Sequence, residues 1–259
     1  MENIKGIILA GGKGSRLYPL TSSISKQILP VFDKPMIYYP ISTLFLADVR
    51  EILIISSKDS LPLFKNLLGD GSKYGASFNY AIQEKPDGLA SAYKIAKEFL
   101  AGSSSILILG DNIFYGDSFK EKLKDGFTNN NGCTIFTHKV LNPTRYGIVE
   151  FDNDNNIISI EEKPKEPKSK YALTGIYFFN NLAEEFVNTL EKSERGEYEI
   201  TDLINCYLKI GKVKAQNLGR GFNWFDAGTH ESLLEAAQFI QSIEHRQGVK
   251  IACLEEICL

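Results

Sequence analysis

The residues best suited to do chemistry lie in the first twenty positions of the chain. Residues 4–9 form a short apolar run, and Gly11, Gly12 and Gly14 follow it together with Arg16. Such a run predicts a buried strand, and glycines after a strand let backbone N–H groups approach a ligand closely. An arginine guanidinium matches the geometry of phosphate oxygens. The stretch therefore predicts a phosphate-binding loop at the carboxyl end of a first strand.

Two common phosphate motifs do not fit this loop. A Walker loop would place glycine where Ile7 stands and serine or threonine where Gly14 stands. A dinucleotide-binding fingerprint would need a glycine at Leu17, and Pro19 prevents an immediate helix. A tight turn that binds no ligand stays open as the alternative.

Two aspartates are candidates for a divalent cation site. Asp111 follows the apolar run 105–109 and Gly110, and Asp226 follows two aromatic residues and precedes a glycine turn. Mg²⁺ commonly takes one or two protein carboxylates and completes its shell with phosphate oxygens and water. For each aspartate the alternative is a side chain that caps a turn or a helix. Lys26 lies in the connection after the glycine loop, where it could reach the same phosphates.

A second group of polar residues could bind a sugar phosphate. Glu161 and Glu162 end a predicted strand, and alternation along the strand lets only one of them face a cleft. A carboxylate there suits sugar hydroxyls, and Lys163 suits a phosphate. The pairs Tyr146-Gly147 and Thr174-Gly175 each combine a side chain with a glycine that permits close approach. A solvated hairpin end is the alternative.

The elements that must position these residues alternate between strands and helices. This order predicts an α/β fold, Rossmann-like, with a mixed, mostly parallel central sheet and helices on both faces. Ligands of such sheets bind at the carboxyl ends of the strands. The predicted strands cover residues 4–9, 51–56, 77–83, 105–109, 134–139, 147–151, 157–162, 171–179 and 212–218. The predicted helices cover residues 35–47, 61–68, 89–100, 118–127, 184–191, 203–210 and 230–245, the last with Thr229 as N-cap.

Composition limits the function. A net charge of −3 over 259 residues gives no reason to expect nucleic-acid binding. The four cysteines form no C-x-x-C pair, so zinc and a disulfide framework are not expected, and Cys133 and Cys206 are predicted core residues. No leader and no membrane-length apolar run are evident, which predicts a cytoplasmic enzyme. The three histidines are interpreted as structural.

No arrangement of serine or cysteine with histidine suggests a covalent nucleophile. In-line attack at phosphorus needs positioning and charge neutralisation more than acid–base residues, so it fits this inventory.

Taken together, the motifs resemble those of the sugar-nucleotidyltransferases over essentially the whole chain. The resemblance rests on GGKGSRL at 11–17, SKQILPV at 25–31, KPMIY at 34–38, QEKPDGLA at 83–90, LGDN at 109–112, RYG at 145–147, EEKP at 161–164, TG at 174–175 and WFDAGT at 224–229. It implies one nucleotidyltransferase domain over 1–259, with a nucleotide-binding half to about residue 140 and a sugar-phosphate-binding half after it.

The resemblance also implies a reaction and the residues that perform it. The reaction is transfer of a nucleotidyl group from dTTP to glucose 1-phosphate, with Mg²⁺ held by Asp111 and Asp226. Catalysis is assigned to Arg16, Lys26, Asp111, Asp226 and Lys163. Nucleotide binding is assigned to Leu9, Gly11, Gly12, Gly14, Ser15, Arg16, Gln27, Gln83, Pro86, Gly88 and Asp111. Sugar-phosphate binding is assigned to Tyr146, Gly147, Glu162, Lys163, Leu173, Thr174 and Gly175.

Two departures and several alternatives accompany this resemblance. Lys13 stands where the family often has serine or threonine, although the backbone donors remain. The sequence ends at Leu259, before a helical tail that contributes to tetramer contacts and end-product control in the family, so a homo-oligomer without a defined size is expected. The alternatives are the same chemistry with UTP or another sugar phosphate, a non-catalytic nucleotide-sugar-binding subunit, and a structural α/β module.

Overall fold

The computed structural model describes residues 4–128 and 132–258. Strands within these ranges are β1 (Lys5–Ala10), β2 (Pro30–Val31), β3 (Lys34–Pro35), β4 (Glu51–Ser56), β5 (Ser77–Ile82), β6 (Ser105–Leu109), β7 (Asn112–Tyr115), β8 (Cys133–Lys139), β9 (Gly147–Phe151), β10 (Ile157–Glu162), β11 (Tyr171–Phe179), β12 (Val213–Asn217) and β13 (Asn223–Asp226). The α-helices are α1 (Tyr38–Leu46), α2 (Leu61–Leu68), α3 (Ala92–Leu100), α4 (Phe119–Phe127), α5 (Leu182–Thr189), α6 (Ile200–Lys209), α7 (His230–Gln247) and α8 (Leu254–Ile257).

These elements form two compact units, each assembled from separate segments of the chain. The unit that carries the glycine loop, called here the Gly-loop unit, contains Ile4–Pro86, Ile108–Gly116 and the described chain from Asn223 onward. The other, called the hairpin unit, contains Asp87–Leu107 and Asp117–Phe222 among the described residues. The sequence predicts a nucleotide-binding half up to about residue 140 and a sugar-phosphate-binding half after it. That division by ligand stays a prediction.

Parallel strands in the order β1-β4-β5 form the sheet of the Gly-loop unit. The register pairs Ala10 with Ser56 and Ser56 with Ile82, so β1, β4 and β5 end at one rim. Buried apolar side chains fill β1 and β4 almost completely, which is typical of parallel strands covered on both faces. The register therefore places the residues that follow these strands, Gly11 and Gln83 among them, side by side.

A two-stranded antiparallel ribbon, β7 with β13, lies in the same unit. Its apolar side chains pack against α7, as in the contact between the Phe225 and Phe239 rings at 5.2 Å. A capping box starts α7: Thr229 Oγ1 accepts from Ser232 N at 3.2 Å, and Ser232 Oγ accepts from Thr229 N at 3.1 Å. The predicted N-cap is thereby confirmed, and the helix has a fixed start directly after the ribbon.

Antiparallel pairing dominates the hairpin unit. The β9–β10 hairpin pairs Glu162 with Gly147, and the polar turn between the strands is closed by Asp152. β11 pairs with β8, but the register is interrupted between Leu173 and Tyr177. β12 runs parallel to β8.

The predicted mixed, mostly parallel sheet with helices is confirmed, with two local corrections. The helix predicted to start at Pro35 starts at Tyr38, because Pro35 belongs to a β2–β3 hairpin and pairs with Pro30. Cys133 is buried as predicted, whereas Cys206 is partly exposed on α6. Over the described ranges, no helix has the length and apolarity needed to cross a membrane.

An ion-pair network around the buried carboxylate of Glu244 holds the β2–β3 hairpin to the C-terminal part of the Gly-loop unit. The Glu244 carboxylate on α7 accepts from Lys34 Nζ at 3.1 Å, Lys250 Nζ at 2.8 Å and Ile251 N at 2.9 Å. Asp33 accepts from Lys250 Nζ at 2.6 Å and also from Lys34. Burial by itself raises the pKa of Glu244, but these donors outweigh burial and hold the pKa below its ordinary value of 4.5.

Replacing Glu244 with glutamine tests this network. A carboxyl group whose pKa is lower in the folded state stabilises the fold above its unfolded pKa, and this stabilisation is lost as pH falls through the folded value. Glu244→Gln should lower the free energy of unfolding by about 3 kcal/mol at pH 7. Its thermal midpoint should also fall less steeply than that of the wild type below pH 4.5. Circular dichroism melts across pH measure both effects, with exposed Glu235→Gln on the same helix as control.

Candidate active site

Two glycines shape the loop that follows β1. A Cβ on Gly11 would lie 2.3 Å from Gln83 Oε1, so only glycine leaves room for the Gln83 side chain to cross the loop. Gly14 has φ +62, a conformation that favours glycine. Its carbonyl accepts from Thr21 Oγ1 at 2.8 Å and starts the single 3₁₀ turn Ser15–Leu17. Gly12 and Ser15 are exposed in this loop.

Arg16 lies beside one of the predicted metal ligands. A Cβ on Gly228 would lie 2.8 Å from Arg16 Nη2 and 2.9 Å from Asp226 Oδ1. Gly228 is therefore the residue against which the guanidinium and the carboxylate both pack. The arginine is exposed and Asp226 is half-buried, so both groups remain accessible to a ligand.

The β7–β13 ribbon brings the two aspartates together. Asp226 pairs with Asn112 in the ladder, and Ala227 N donates to the Asp111 carbonyl at 3.0 Å. Among residues 4–128 and 132–258, no group of three or more His, Cys, Asp or Glu side chains could hold a metal ion. A site of two carboxylates fits Mg²⁺, which prefers hard oxygen donors and takes its remaining ligands from phosphates and water. Zn²⁺, Cu²⁺ and Ni²⁺ would favour nitrogen or sulfur donors, whereas Mn²⁺ shares the preference of Mg²⁺ for oxygen.

Lys26 forms an ion pair with Asp111. The ammonium group contacts Asp111 Oδ2, and Asn112 Nδ2 donates to Asp111 Oδ1 at 3.1 Å. Burial raises the pKa of Asp111, but the Lys26 charge and the two hydrogen bonds outweigh burial and hold the pKa below its usual value. The carboxyl group is therefore ionised at neutral pH, as a metal ligand must be.

The remaining residues predicted to bind the nucleotide are Leu9, Gln27, Pro86 and Gly88. Leu9 is a buried residue of β1, and its carbonyl oxygen accepts a hydrogen bond from Gly110 N at 3.0 Å. Gln27 is buried, and its Oε1 accepts from Ser25 Oγ at 2.6 Å, while its side chain packs against Gly110. Pro86 is exposed at the end of the unit's first segment. Gly88 lies in the hairpin unit at φ +109, where a Cβ would lie 2.3 Å from the Tyr198 carbonyl oxygen, so packing alone requires glycine there.

The predicted sugar-phosphate residues lie in the hairpin unit, and five of them form one cluster. A Cβ on Gly147 would lie 2.8 Å from Leu173 Cδ1 and 3.4 Å from Glu162 Oε2. Lys163 N donates to the Tyr146 carbonyl at 3.1 Å, and Lys163 Nζ lies 3.3 Å from Glu162 Oε1. The hairpin pairing therefore brings together the Glu162 carboxylate, the Lys163 ammonium group and the backbone of Gly147.

Thr174 and Gly175 are placed differently. Both are buried in the irregular part of β11, and Thr174 Oγ1 donates to the Phe136 carbonyl at 3.0 Å. This hydrogen bond uses the hydroxyl within the fold. The sugar-phosphate contact predicted for the pair stays a prediction.

Sequence reasoning missed two residues of the hairpin-unit cluster. Arg195 Nη1 lies 3.4 Å from Glu162 Oε1 and 3.3 Å from Glu199 Oε1, which adds a guanidinium beside Lys163. Thr201 is buried, and its Cγ2 would lie 3.0 Å from a Cβ on Gly147. Its Oγ1 has no hydrogen-bond partner among the described residues. A lone arginine in a polar loop and a threonine in the first turn of a helix carry no local signal, so only the three-dimensional contact identifies them.

Comparison with known proteins identifies the family of this chain. The sequence model described as nucleotidyl transferase matches residues 5–243, a span that includes every predicted site residue. The chain belongs to the nucleotidyl transferase family. The family resemblance inferred from the motifs is therefore confirmed.

Relatives within the nucleotidyl transferase family cover nearly the whole chain. A glucose-1-phosphate thymidylyltransferase from Neisseria meningitidis is 55% identical over 98% of this chain and 88% of its own length. One of the same name from Xanthomonas campestris is 51% identical over 99% of this chain and 87% of its own length. A crystal structure from Bacillus anthracis, named as a glucose-1-phosphate thymidylyltransferase in complex with sucrose, is 42% identical with a TM-score of 0.85. It covers 91% of this chain and 94% of its own.

The contact between Gly11 and Gln83 makes a testable prediction. Gly11→Ala places a methyl group 2.3 Å from Gln83 Oε1, so the glutamine side chain must move away from the loop. We expect the affinity for a nucleoside triphosphate to fall about tenfold, the equivalent of losing one or two hydrogen bonds. Titration calorimetry measures the change. Gln83→Ala is the matched comparison: adding Gly11→Ala to it should cause no further loss, and additive losses would contradict the assignment.

Proposed function

We propose that this protein transfers the thymidylyl group of dTTP to α-D-glucose 1-phosphate and releases dTDP-glucose and pyrophosphate. The observation that carries the proposal is the gathering of Arg16, Lys26, Asp111 and Asp226 at the strand ends of one unit in a nucleotidyl transferase. The name shared by relatives at 51–55% identity supports the choice of dTTP and glucose 1-phosphate. By the family resemblance, the product dTDP-glucose enters the synthesis of dTDP-rhamnose and other deoxysugars in the cytoplasm.

The reaction is a displacement at the α-phosphorus of dTTP. A phosphate oxygen of glucose 1-phosphate forms the new bond to phosphorus, and the bond from phosphorus to the oxygen shared with the β-phosphate breaks. Pyrophosphate leaves with the bonding electron pair, so negative charge grows on the leaving group. No proton has to be removed from the phosphate nucleophile at neutral pH. Positioning and charge neutralisation therefore supply the catalysis.

The cations and carboxylates of the Gly-loop unit supply that neutralisation. The exposed Arg16 guanidinium binds the pyrophosphate oxygens, and backbone N–H groups of the glycine loop line the triphosphate. Lys26 provides a second positive charge next to Asp111. Asp111 and Asp226 hold Mg²⁺, which neutralises phosphate charge when bound. The side-chain amide of Gln83, held over Gly11, suits the donor and acceptor edge of thymine, with Leu9 and Pro86 as further contacts.

The hairpin-unit cluster supplies the acceptor site. The Glu162 carboxylate accepts from sugar hydroxyls, and the missing side chain of Gly147 leaves room for Leu173 and Thr201 to pack beside that carboxylate. Lys163 and Arg195 flank Glu162 and bind the phosphate of glucose 1-phosphate. A homo-oligomer is part of the proposal because the family resemblance implies one.

Pyrophosphate release tests the proposed reaction directly. The assay contains glucose 1-phosphate with dTTP, UTP, ATP, GTP or CTP, each with Mg²⁺ and with EDTA. Release should be fastest with dTTP and should stop with EDTA. UTP should also react, since its base, uracil, lacks only the methyl group of thymine, and such a methyl contact is worth about 1–3 kcal/mol. Faster release with UTP would favour a uridylyltransferase, and binding of dTDP-glucose without release from any nucleotide would favour a non-catalytic subunit.

The role of Arg16 gives a separate prediction. Arg16→Ala should lower kcat about 10²–10³-fold, because the guanidinium stabilises charge that develops mainly in the transition state. The KM for dTTP should change much less. Steady-state kinetics with a coupled pyrophosphate assay measures both constants. Arg246→Ala removes an exposed arginine from α7 of the same unit and serves as the control. A kcat equal to that of the control would remove Arg16 from the mechanism.

A further inference from the structure

The ion pair between Lys26 and Asp111 engages the Asp111 carboxylate, which the proposed function assigns to Mg²⁺ binding. Only 13% of the Lys26 side chain and 11% of the Asp111 side chain are exposed. Asp111 Oδ2 accepts from Lys26, and Oδ1 accepts from Asn112 Nδ2 at 3.1 Å. Each oxygen of the buried carboxylate therefore already has a protein donor.

The backbone of Lys26 is held firmly, whereas its ammonium group is carried on a flexible stem. Lys26 opens a 3₁₀ turn in which Leu29 N donates to the Lys26 carbonyl at 3.1 Å, and Ile37 N donates to the next carbonyl, that of Gln27, at 2.9 Å. A Cβ on Gly14 would lie 3.3 Å from Lys26 Cβ, so the glycine loop packs on the root of the side chain. The three carbons beyond Cβ can swing the charge to a new partner without moving the backbone.

An ammonium group and a divalent cation compete for one carboxylate at such a site. The pair is largely secluded from water, so charge interactions there are screened less than at the surface. A metal bound to Asp111 would meet the repulsion of an adjacent positive charge unless the lysine left. The lysine in turn would lose its counter-charge unless another anion took it up. Nucleotide phosphates lining the glycine loop are anions of that kind.

We propose that Lys26 occupies the cation position at Asp111 in the nucleotide-free protein, so that the metal binds tightly only when nucleotide phosphates draw the lysine away. This inference rests on the proposed function in taking Asp111 as a metal ligand. Because coupling between two ligands is reciprocal, the metal also strengthens nucleotide binding to the same extent. Lys26 thus prevents a divalent cation from occupying the site before the nucleotide binds. The cation then enters together with the phosphates whose charge it would neutralise.

Binding of Mn²⁺, followed by the electron paramagnetic resonance signal of the free ion, tests the proposal without any turnover. In the absence of nucleotide, Lys26→Met should bind Mn²⁺ at least about tenfold more tightly than the wild type, a difference of about 1.4 kcal/mol. Lys26→Arg keeps the cation and should resemble the wild type. Lys13→Met removes an exposed lysine from the glycine loop and should also leave the affinity unchanged. Lys26→Gln repeats the comparison with a neutral polar side chain should the methionine variant not fold.

Two further measurements assign the outcome. The gain in Lys26→Met should disappear when Asp111→Asn is added, and a gain that persists would overturn the proposal. Equal Mn²⁺ affinities in the wild type, Lys26→Met and Lys26→Gln would overturn it as well. Failure of the underlying metal assignment has a different result: Mn²⁺ binding to the wild type with dTTP present would then be unaffected by Asp111→Asn. The two failures are therefore distinguishable.

Discussion

The candidate site depends on the pairing of β13 with β7. These strands are far apart in the sequence, and their ladder places Asp226 opposite Asn112 and next to Asp111. The ribbon is held from one side by apolar contacts with α7, which begins at a capping box directly after it. The carboxylates are thus fixed both by backbone hydrogen bonds and by the packing of a helix. A shift of the ladder by one residue would turn the side chains to the opposite face and separate the pair.

Strand positions and the residues that follow them could be predicted from the sequence because they depend on local patterns. The apolar runs that became β1, β4 and β6 are short, β-branched and bounded by polar or glycine residues, which is a strong signal for buried parallel strands. The rule that ligands bind at the carboxyl ends of such strands then singled out the glycine loop and Asp111. Thr229 as the start of α7 followed from capping chemistry alone.

The parts that escaped prediction depend on contacts between distant segments. Pro35 has the local chemistry of a helix start, but pairing with Pro30 places it in a hairpin, and that hairpin is stabilised by Glu244 from the other end of the chain. Arg195 lies in a polar loop, as many surface arginines do. Only its contact with Glu162 in the structure marks it as a candidate site residue. Charged residues have no periodicity that marks them as buried or paired, so their partners must come from the structure.

The segmented composition of the Gly-loop unit has a consequence for synthesis of the chain. The segment that contains β13 begins at Asn223, so β7 has no β13 to pair with until the ribosome has made the residues between them. Ribosomes add roughly 5–20 residues per second, and the intervening hundred or so residues therefore delay the pairing by on the order of 5–20 s. During that interval Ile113, which is fully buried in the finished fold, lacks the cover that Ala236 and Ile240 of α7 later provide. The nascent chain thus carries an apolar strand that favours association with chaperones until β13 and α7 emerge.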